Sequence, residues 1–410
     1  SWWMSRTWWR FFASENGRAR CFGMNGARRL CGRIAAGAAV CLLAVACGFG
    51  PAARAEMQRE PLEFIEVSED GTHFVGAASG RRFVAWGFNY DHDAEGRLIE
   101  DYWEDAWGTV VEDFREMRAL GANVVRVHLQ LGRLMEAPDA ANETALARLV
   151  DIVKLAEETG LYLDVTGLGC YHKEDVPQWY EAMGESERWE VQARFWEAVA
   201  RMCAESPAVF CYDLMNEPIV AGAKKKETEW LAGAFGGKYF VQRITLDLAG
   251  RTRQQVAKAW VEKLVAAIRT HDKDHMITLG AIPWAHTWPS VKPLFYSPEV
   301  GGKLDFVSVH FYPHRGEVDK ALRALSVYEI GKPLVVEEMF PLRCSIAELD
   351  AFIDGSRGIA DGYIGFYWGE RLDEGLGTDM TIAEAVTGRW LRYFHSKRPE
   401  VVGSHREEGQ

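Results

Sequence analysis

Short apolar runs alternate along this chain with stretches in which apolar side chains return every third or fourth position. The runs have the length and composition of strands covered on both faces, and they end at Asn89, Gln130, Gly167, Met215, Ala281, His310, Glu338 and Trp368. Between and after them lie amphipathic stretches at Val110–Leu120, Glu143–Glu158, Glu187–Ala204, Arg253–Thr270, Val318–Ile330, Ser345–Ser356 and Ile382–His395. In the fourth of these Val256, Trp260, Val261, Leu264, Val265 and Ile268 recur at helical spacing. Strands that alternate with helices in this way predict an α/β fold of the (β/α)8 TIM-barrel type, with reactive groups gathered at the carboxyl ends of the strands. Ahead of the barrel, Leu62–Val84 reads as short strands broken at Glu69-Asp70-Gly71 and Ser79-Gly80, a hairpin expected to plug the barrel bottom. The widest interval, Ile219–Gly250, follows the fourth strand and so belongs to the active-site face, where a structured loop walls a cleft or forms a lid.

Charge refines this picture. Residues 1–55 hold eight Lys/Arg and one acid, so the remainder carries about −19 out of a whole-chain net charge of −12. A body this acidic repels phosphates, which argues against nucleic acid or an anionic membrane as partner and leaves a neutral ligand such as a glycan. Arg28, Arg29 and Arg33 precede an apolar run from Ile34 to Phe49 and then Ala53-Arg54-Ala55, the layout of a secretory signal peptide. The run is short for a spanning helix, and Ala44 fits poorly where lipidation at Cys47 would ask for Leu. The expected layout is an upstream segment at 1–23, a signal peptide at 24–55 and one barrel domain at 56–410, secreted or periplasmic. No linker, repeat or attached carbohydrate-binding module is visible. Past the leader, Cys170, Cys203, Cys211 and Cys344 are irregularly spaced and lack a C-x-x-C pair, which reads as buried thiols. Neither H-x-H nor H-E-x-x-H occurs, so no metal and no cofactor is expected.

Two strand ends carry the chemistry. Asn216-Glu217-Pro218 closes the fourth apolar run, and Glu338 closes the seventh. Two carboxyl groups facing each other across a barrel mouth, one protonated and one ionised, are what glycoside hydrolysis requires. Glu337 stands beside Glu338, and strand alternation would send the two to opposite faces. Aromatic residues are plentiful near the strand-to-helix loops: Tyr90, Trp103, Trp107, Trp179, Tyr180, Trp230, Trp284 and Trp288. Sugar C–H faces stack on such rings; about half of these are expected to touch ligand, with Trp284 the preferred subsite residue.

With Asn-Glu-Pro after the fourth strand, a terminal Glu on the seventh, His310-Phe311-Tyr312 after the sixth, Trp368 ending the eighth and Arg126 on the second, the chain resembles glycoside hydrolase family 5 over about residues 60–397. The resemblance implies a retaining β-glycosidase acting on a β-linked glucan or mannan. It implies Glu217 as general acid/base, Glu338 as nucleophile, Arg126 and Tyr312 as its hydrogen-bond partners, Asn216 as the holder of the sugar 2-hydroxyl, His310 as part of the polar floor and Trp368 as a face for the reacting sugar. Two departures stand out: Phe340-Pro341 replaces the Gly that usually follows the nucleophile segment, and the third strand ends in Thr166-Gly167-Leu168-Gly169-Cys170-Tyr171-His172, with His only at the end. His128 reads as a core histidine. The competing readings are a non-catalytic glycan-binding barrel and a transglycosylase that uses the same two acids.

Overall fold

The computed structural model describes residues 61–403 apart from 94, 367 and 369–381, so the segments assigned above to 1–23 and 24–55 lie outside the described residues. Eight parallel strands make the barrel: β1 Ala85–Tyr90, β2 Val124–Gln130, β3 Tyr162–Gly169, β4 Val209–Asp213, β5 Met276–Ala281, β6 Val307–His310, β7 Leu334–Met339 and β8 Gly362–Gly365. β5 is interrupted at Leu279: Met276–Thr278 pairs with β4 and Gly280–Ala281 pairs with β6. β8 pairs with β1 and closes the ring on the other side. The strand ends expected at Gln130, Ala281 and His310 fall on those residues, and the others fall within three residues of expectation.

Among the described residues seven helices of eight or more residues dress the barrel: α1 Trp107–Ala119, α2 Glu143–Thr159, α3 Glu185–Cys203, α4 Arg253–Arg269, α5 Val318–Leu325, α6 Ile346–Ser356 and α7 Ile382–Gly403. Local chemistry starts several of them. Asn142 accepts from the N–H groups of Thr144 and Ala145 ahead of α2, and Thr252 and Ser345 form capping boxes with Gln255 and Glu348 ahead of α4 and α6. The α4 stripe from Val256 to Ile268 is buried as the periodicity requires.

Alternation along the strands sorts two interiors. On β2 Val125, Val127 and Leu129 join the large core between barrel and helices, whereas Val124 joins a smaller cluster inside the barrel with Ala85, Phe210, Met276, Phe306, Val335 and Ile364. The expected hairpin is a three-stranded antiparallel sheet, Ile65–Val67, Phe74–Gly76 and Arg82–Phe83. It plugs the barrel as expected: Phe74 is fully buried, with its ring edge-on to Phe210 at 5.2 Å and to Phe306 at 5.1 Å. Above this apolar layer the lumen becomes polar, and that change of layer sets the site. Among the described residues no helix is long and apolar enough to cross a membrane, and Cys170, Cys203, Cys211 and Cys344 are all free thiols.

Candidate active site

Arg126 is the centre of the polar layer. It projects into the lumen from β2 with no exposure, and its Nη1 donates to Asn89 Oδ1 at 2.8 Å and to Glu338 Oε1 at 3.0 Å. Nη2 donates to Asp213 Oδ2 at 2.6 Å and to Asn216 Oδ1 at 2.9 Å, and lies 3.4 Å from Glu337 Oε2. One guanidinium thereby ties β1, β2, β4 and β7 together, a use of its planar fork that Lys could not reproduce.

Glu338 receives a second donor, the Tyr312 hydroxyl, at 2.7 Å from Oε2. Glu217 sits at a left-handed backbone position, φ 47°, held where its N–H donates to the Gly280 carbonyl at 2.9 Å. Such a conformation costs a non-glycine residue about 1–3 kcal/mol and persists only where its surroundings over-determine it. Its carboxyl meets His310, whose Nδ1 is 3.0 Å from Glu217 Oε1 and 3.4 Å from Glu338 Oε2. The other ring nitrogen, Nε2, is 3.2 Å from Glu337 Oε2. The structure thus brings Glu217, Glu338, Arg126, Asn216, His310 and Tyr312 into one hydrogen-bonded cluster.

Trp368 is not part of that cluster. It is 3% exposed, its ring centroid is 5.4 Å from that of Phe88, and it hydrogen-bonds Asp113. Phe88 itself packs on Phe394 of α7, so the Trp368 indole lies in the core between barrel and helices. The ring near the site from β8 is Phe366, half-buried, 6.4 Å from Tyr312 and 6.2 Å from Phe240. Trp284 stands apart from the hydrogen-bonded groups and stacks on Trp288 at 5.4 Å, and Trp288 is 41% exposed. Tyr90, Trp103, Tyr180 and Trp230 are buried packing residues, whereas Trp107, Trp179, Trp284 and Trp288 keep some exposure.

The two adjacent acids share the lumen, against the alternation expected of a strand. Val309 of β6 pairs with Val336 but His310 pairs with Glu338, and toward β8 the pairing jumps from Val336↔Tyr363 to Met339↔Gly365. Glu337 is therefore the extra residue of a β-bulge, which lets both carboxylates face inward. Glu337 is fully buried beneath the pair, whereas the Glu338 side chain keeps 8% exposure and that of Glu217 18%.

Titration follows from this packing. Burial alone would depress the His310 imidazole, but Glu338, Glu217 and Glu337 outweigh it and push its pKa up to about 10. Burial also raises Glu338, helped by the Glu217 charge and opposed by His310, Arg126 and the Tyr312 hydroxyl. Glu337 resists its own burial because Arg126 and His310 hold it well below the ordinary carboxyl range. Asp164 of β3, buried beside Glu337, moves the other way, driven up by burial and by the Glu337 charge. Burial and the Glu337 charge thus favour the neutral form of Asp164, while Arg126 and His310 favour the ionised form of Glu337.

Two trios bring ligand-type atoms within 4.8 Å of one another: Glu217, His310 and Glu338, and Asp164, Asp213 and Glu337. In the second, the Arg126 guanidinium already touches Asp213 and Glu337; in the first, Glu338 is engaged by Arg126 and Tyr312. Both are clusters balanced by protein cations, and a metal ion would have to sit against a guanidinium or an imidazolium.

Several participants escaped the sequence reading. Asn89 bridges Arg126 to the Glu337 carbonyl, and Asp213 accepts from Arg126, Thr166 and the Gly280 N–H. His128 is more than a core histidine: it bonds Tyr171 at 2.7 Å and Asn89 at 3.0 Å, with burial and Arg126 keeping its ring neutral. His172 does not reach the cluster and pairs with Asp175. Polar residues at inward positions of strands that otherwise read as apolar were the available signal. The interval after β4 contributes Phe240, whose carbonyl accepts from Asn216 Nδ2 at 2.9 Å and whose ring packs 4.9 Å from Tyr171. This interval forms a small sheet, Pro218–Val220, Leu231–Ala232 and Val241–Thr245, against the site.

A barrel whose strand ends bring two glutamates onto one imidazole belongs with the glycosidases. The chain matches the cellulase (glycosyl hydrolase family 5) model over residues 87–332 and is a member of that family. The match ends before the strand that carries Glu338. It is 25% identical over 265 residues to mannan endo-1,4-β-mannosidase A of Podospora anserina, covering 56% of this chain and 61% of that protein. Among solved structures it resembles the exo-β-1,4-mannosidase Op5Man5 from Opitutaceae bacterium strain TAV5, with TM-score 0.60, 17% identity and coverage of 83% of this chain and 63% of that one. It also resembles the β-1,4-mannanase of the sea hare Aplysia kurodai, with TM-score 0.55, 15% identity and coverage of 82% and 97%. The structural likenesses are likenesses of fold.

Proposed function

We propose that this protein is a retaining β-glycoside hydrolase acting on a β-1,4-linked mannan or a related β-glucan. The observation that carries the reading is the convergence of Glu217 and Glu338 on His310, with Arg126 and Tyr312 donating to Glu338 and not to Glu217. Two donors on one carboxylate favour its ionised form against the burial that raises it, which suits Glu338 to the nucleophile's role. Oxygens of the two carboxyls lie within 4.8 Å of each other. Inverting enzymes need about 6.5–9.5 Å between the carboxyl groups to admit water, and retaining ones about 5–5.5 Å. The close approach supports double displacement.

In the first step Glu338 attacks the anomeric carbon while Glu217 delivers its proton to the departing glycosidic oxygen. The glycosyl–enzyme ester forms as the C–O bond to the leaving group breaks. In the second step the Glu217 carboxylate takes a proton from water, whose oxygen attacks the same carbon and releases Glu338. Asn216 keeps one amide hydrogen free beyond its bond to the Phe240 carbonyl, enough to bind a sugar hydroxyl. Mannan comes first among substrates because of the sequence likeness to the Podospora mannanase.

The test is the wild type against Glu338→Ala on β-mannan, β-glucan, xylan and aryl β-glycosides, with and without azide. Expected is loss of activity in the variant, restored on the aryl substrates by azide with an inverted product. Glycan binding without hydrolysis by the wild type on every substrate would instead support a non-catalytic barrel.

A further inference from the structure

We propose that Glu337, buried one layer below the reacting pair, is a positioning residue that holds His310 as an imidazolium and so sets the acidity of both Glu217 and Glu338; the proposal rests on the hydrolase reading above. The geometry is specific. His310 has one nitrogen for each layer: Nε2 faces Glu337 Oε2 at 3.2 Å, and Nδ1 faces Glu217 and Glu338 at 3.0 and 3.4 Å. A neutral ring carries a proton on one nitrogen only, so it could donate to the carboxylate below or to the pair above. The protonated ring donates in both directions at once.

Three features of the chain serve this arrangement. Glu337 shares the inward face of Val335, and the β-bulge brings Glu338 into the lumen directly above it. Gly280 makes room for it: a Cβ there would lie 2.6 Å from Glu337 Oε2, 2.7 Å from His310 Nε2 and 2.9 Å from Arg126 Nη2. Asp164, within 4.8 Å of Glu337, is pushed toward its neutral form by burial and by the Glu337 charge, so it competes little with His310 for the role of counter-charge. The groups facing His310 are then all assigned. Glu217 comes from the turn after β4, Glu337 and Glu338 from β7, and Arg126 and His128 from β2; behind them Asp213 and Asp164 lie beside Glu337, and Tyr312 donates to Glu338.

A fixed positive charge beside both carboxyls favours the ionised form of each. It keeps Glu338 nucleophilic and stabilises the Glu217 carboxylate left when its proton passes to the leaving group. Without Glu337 the ring keeps only Glu217 and Glu338 as carboxylate partners and holds its proton less tightly, so the positive charge beside the pair weakens.

The experiment compares wild type, Glu337→Gln, Glu337→Asp and Gly280→Ala by the pH profile of kcat/KM and by 15N NMR of the His310 ring, assigned with His310→Asn. For Glu337→Gln, both limbs of the bell are expected to move to higher pH by about one to two units, the size of one neighbouring charge. The rate loss should be larger on poor leaving groups than on activated aryl glycosides, and the ring should titrate near neutrality. Glu337→Asp keeps the charge and should keep the limbs. Gly280→Ala, which displaces the contact without removing a charge, should move them in the same direction as Gln. A Gln variant with an unmoved bell, equal losses on all substrates and an unchanged ring spectrum would overturn the proposal, since a purely structural role lowers amplitude alone. If the Gln variant does not fold, Gly280→Ala decides between the two roles by the same two readouts. The NMR measurement needs no turnover, so an imidazolium ring in a protein without hydrolase activity would sink the function while sparing the Glu337–His310 link.

Discussion

Tyr312 and Arg126 divide the work of ionising Glu338 between a neutral donor and a cation. The hydroxyl at 2.7 Å can be removed without leaving a buried charge unpaired, because Arg126 Nη1 stays 3.0 Å from the other oxygen. A hydrogen bond to a charged group contributes about 1.5–3 kcal/mol, so Tyr312→Phe should lower kcat/KM by about 10- to 150-fold. The sign on pH also follows. The bond favours the carboxylate, so losing it raises the pKa of Glu338 and moves the acidic limb of the profile to higher pH. A rate loss with the acidic limb in place would mean that Tyr312 packs against the substrate and does not tune the nucleophile.

At the scale of elements, the barrel was legible because both of its periodicities survive translation into sequence. The strands read as apolar runs, and the helical stripes, α4 above all, pack where spacing put them. The site was legible where side chains stand at strand ends, as Glu217, Glu338 and His310 do. It was illegible where pairing register decides. Nothing in Val335-Val336-Glu337-Glu338-Met339 announces a bulge, because the extra residue exists only relative to its neighbours on β6 and β8. Trp368 was misplaced for a related reason: a residue beyond the end of a strand has no alternation to fix its face, and its indole turned toward Phe88 and Asp113.

The floor plug offers an element-level test of the fold that is independent of the chemistry. Phe74 fills the barrel bottom from outside the barrel sequence, with Phe210 and Phe306 around it. Phe74→Ala should cost about 3–5 kcal/mol, read as a lower denaturation midpoint at unchanged m-value. The kcat/KM of the folded fraction should hardly move, since the apolar layer separates this position from Arg126. A cost under about 1 kcal/mol would mean that the small sheet is an ornament and the barrel closes without it.

Over the whole molecule, pH acts on stability through groups far from the reacting pair, and in a different direction. Glu100 is buried with one oxygen accepting from the Gln130 N–H at 2.6 Å and the other without a partner, and burial raises its pKa to about 7. Asp113, under Tyr90 and Trp368, is raised by burial to about 6. A carboxyl raised on folding contributes stability that is complete below its unfolded pKa and lost as pH climbs through the folded value, here from about 4.5 to 7. Asp272, held at about 2 by His275 and Tyr212 against its own burial, acts oppositely, and its contribution disappears as pH falls below about 4 toward that value. Between them lies a mildly acidic range of greatest stability. Glu100→Gln keeps an acceptor for Gln130 and removes the charge, so it should raise stability at pH 8 by at most about 3 kcal/mol and change little at pH 4.5. Denaturation curves at the two pH values decide it: equal effects at both would show that Glu100 is neutral at every pH, or that water reaches its free oxygen. Because the proposed imidazolium at His310 draws the active bell toward acid, the pH of fastest turnover and the pH of greatest stability are expected to overlap in wild type and to separate in Glu337→Gln.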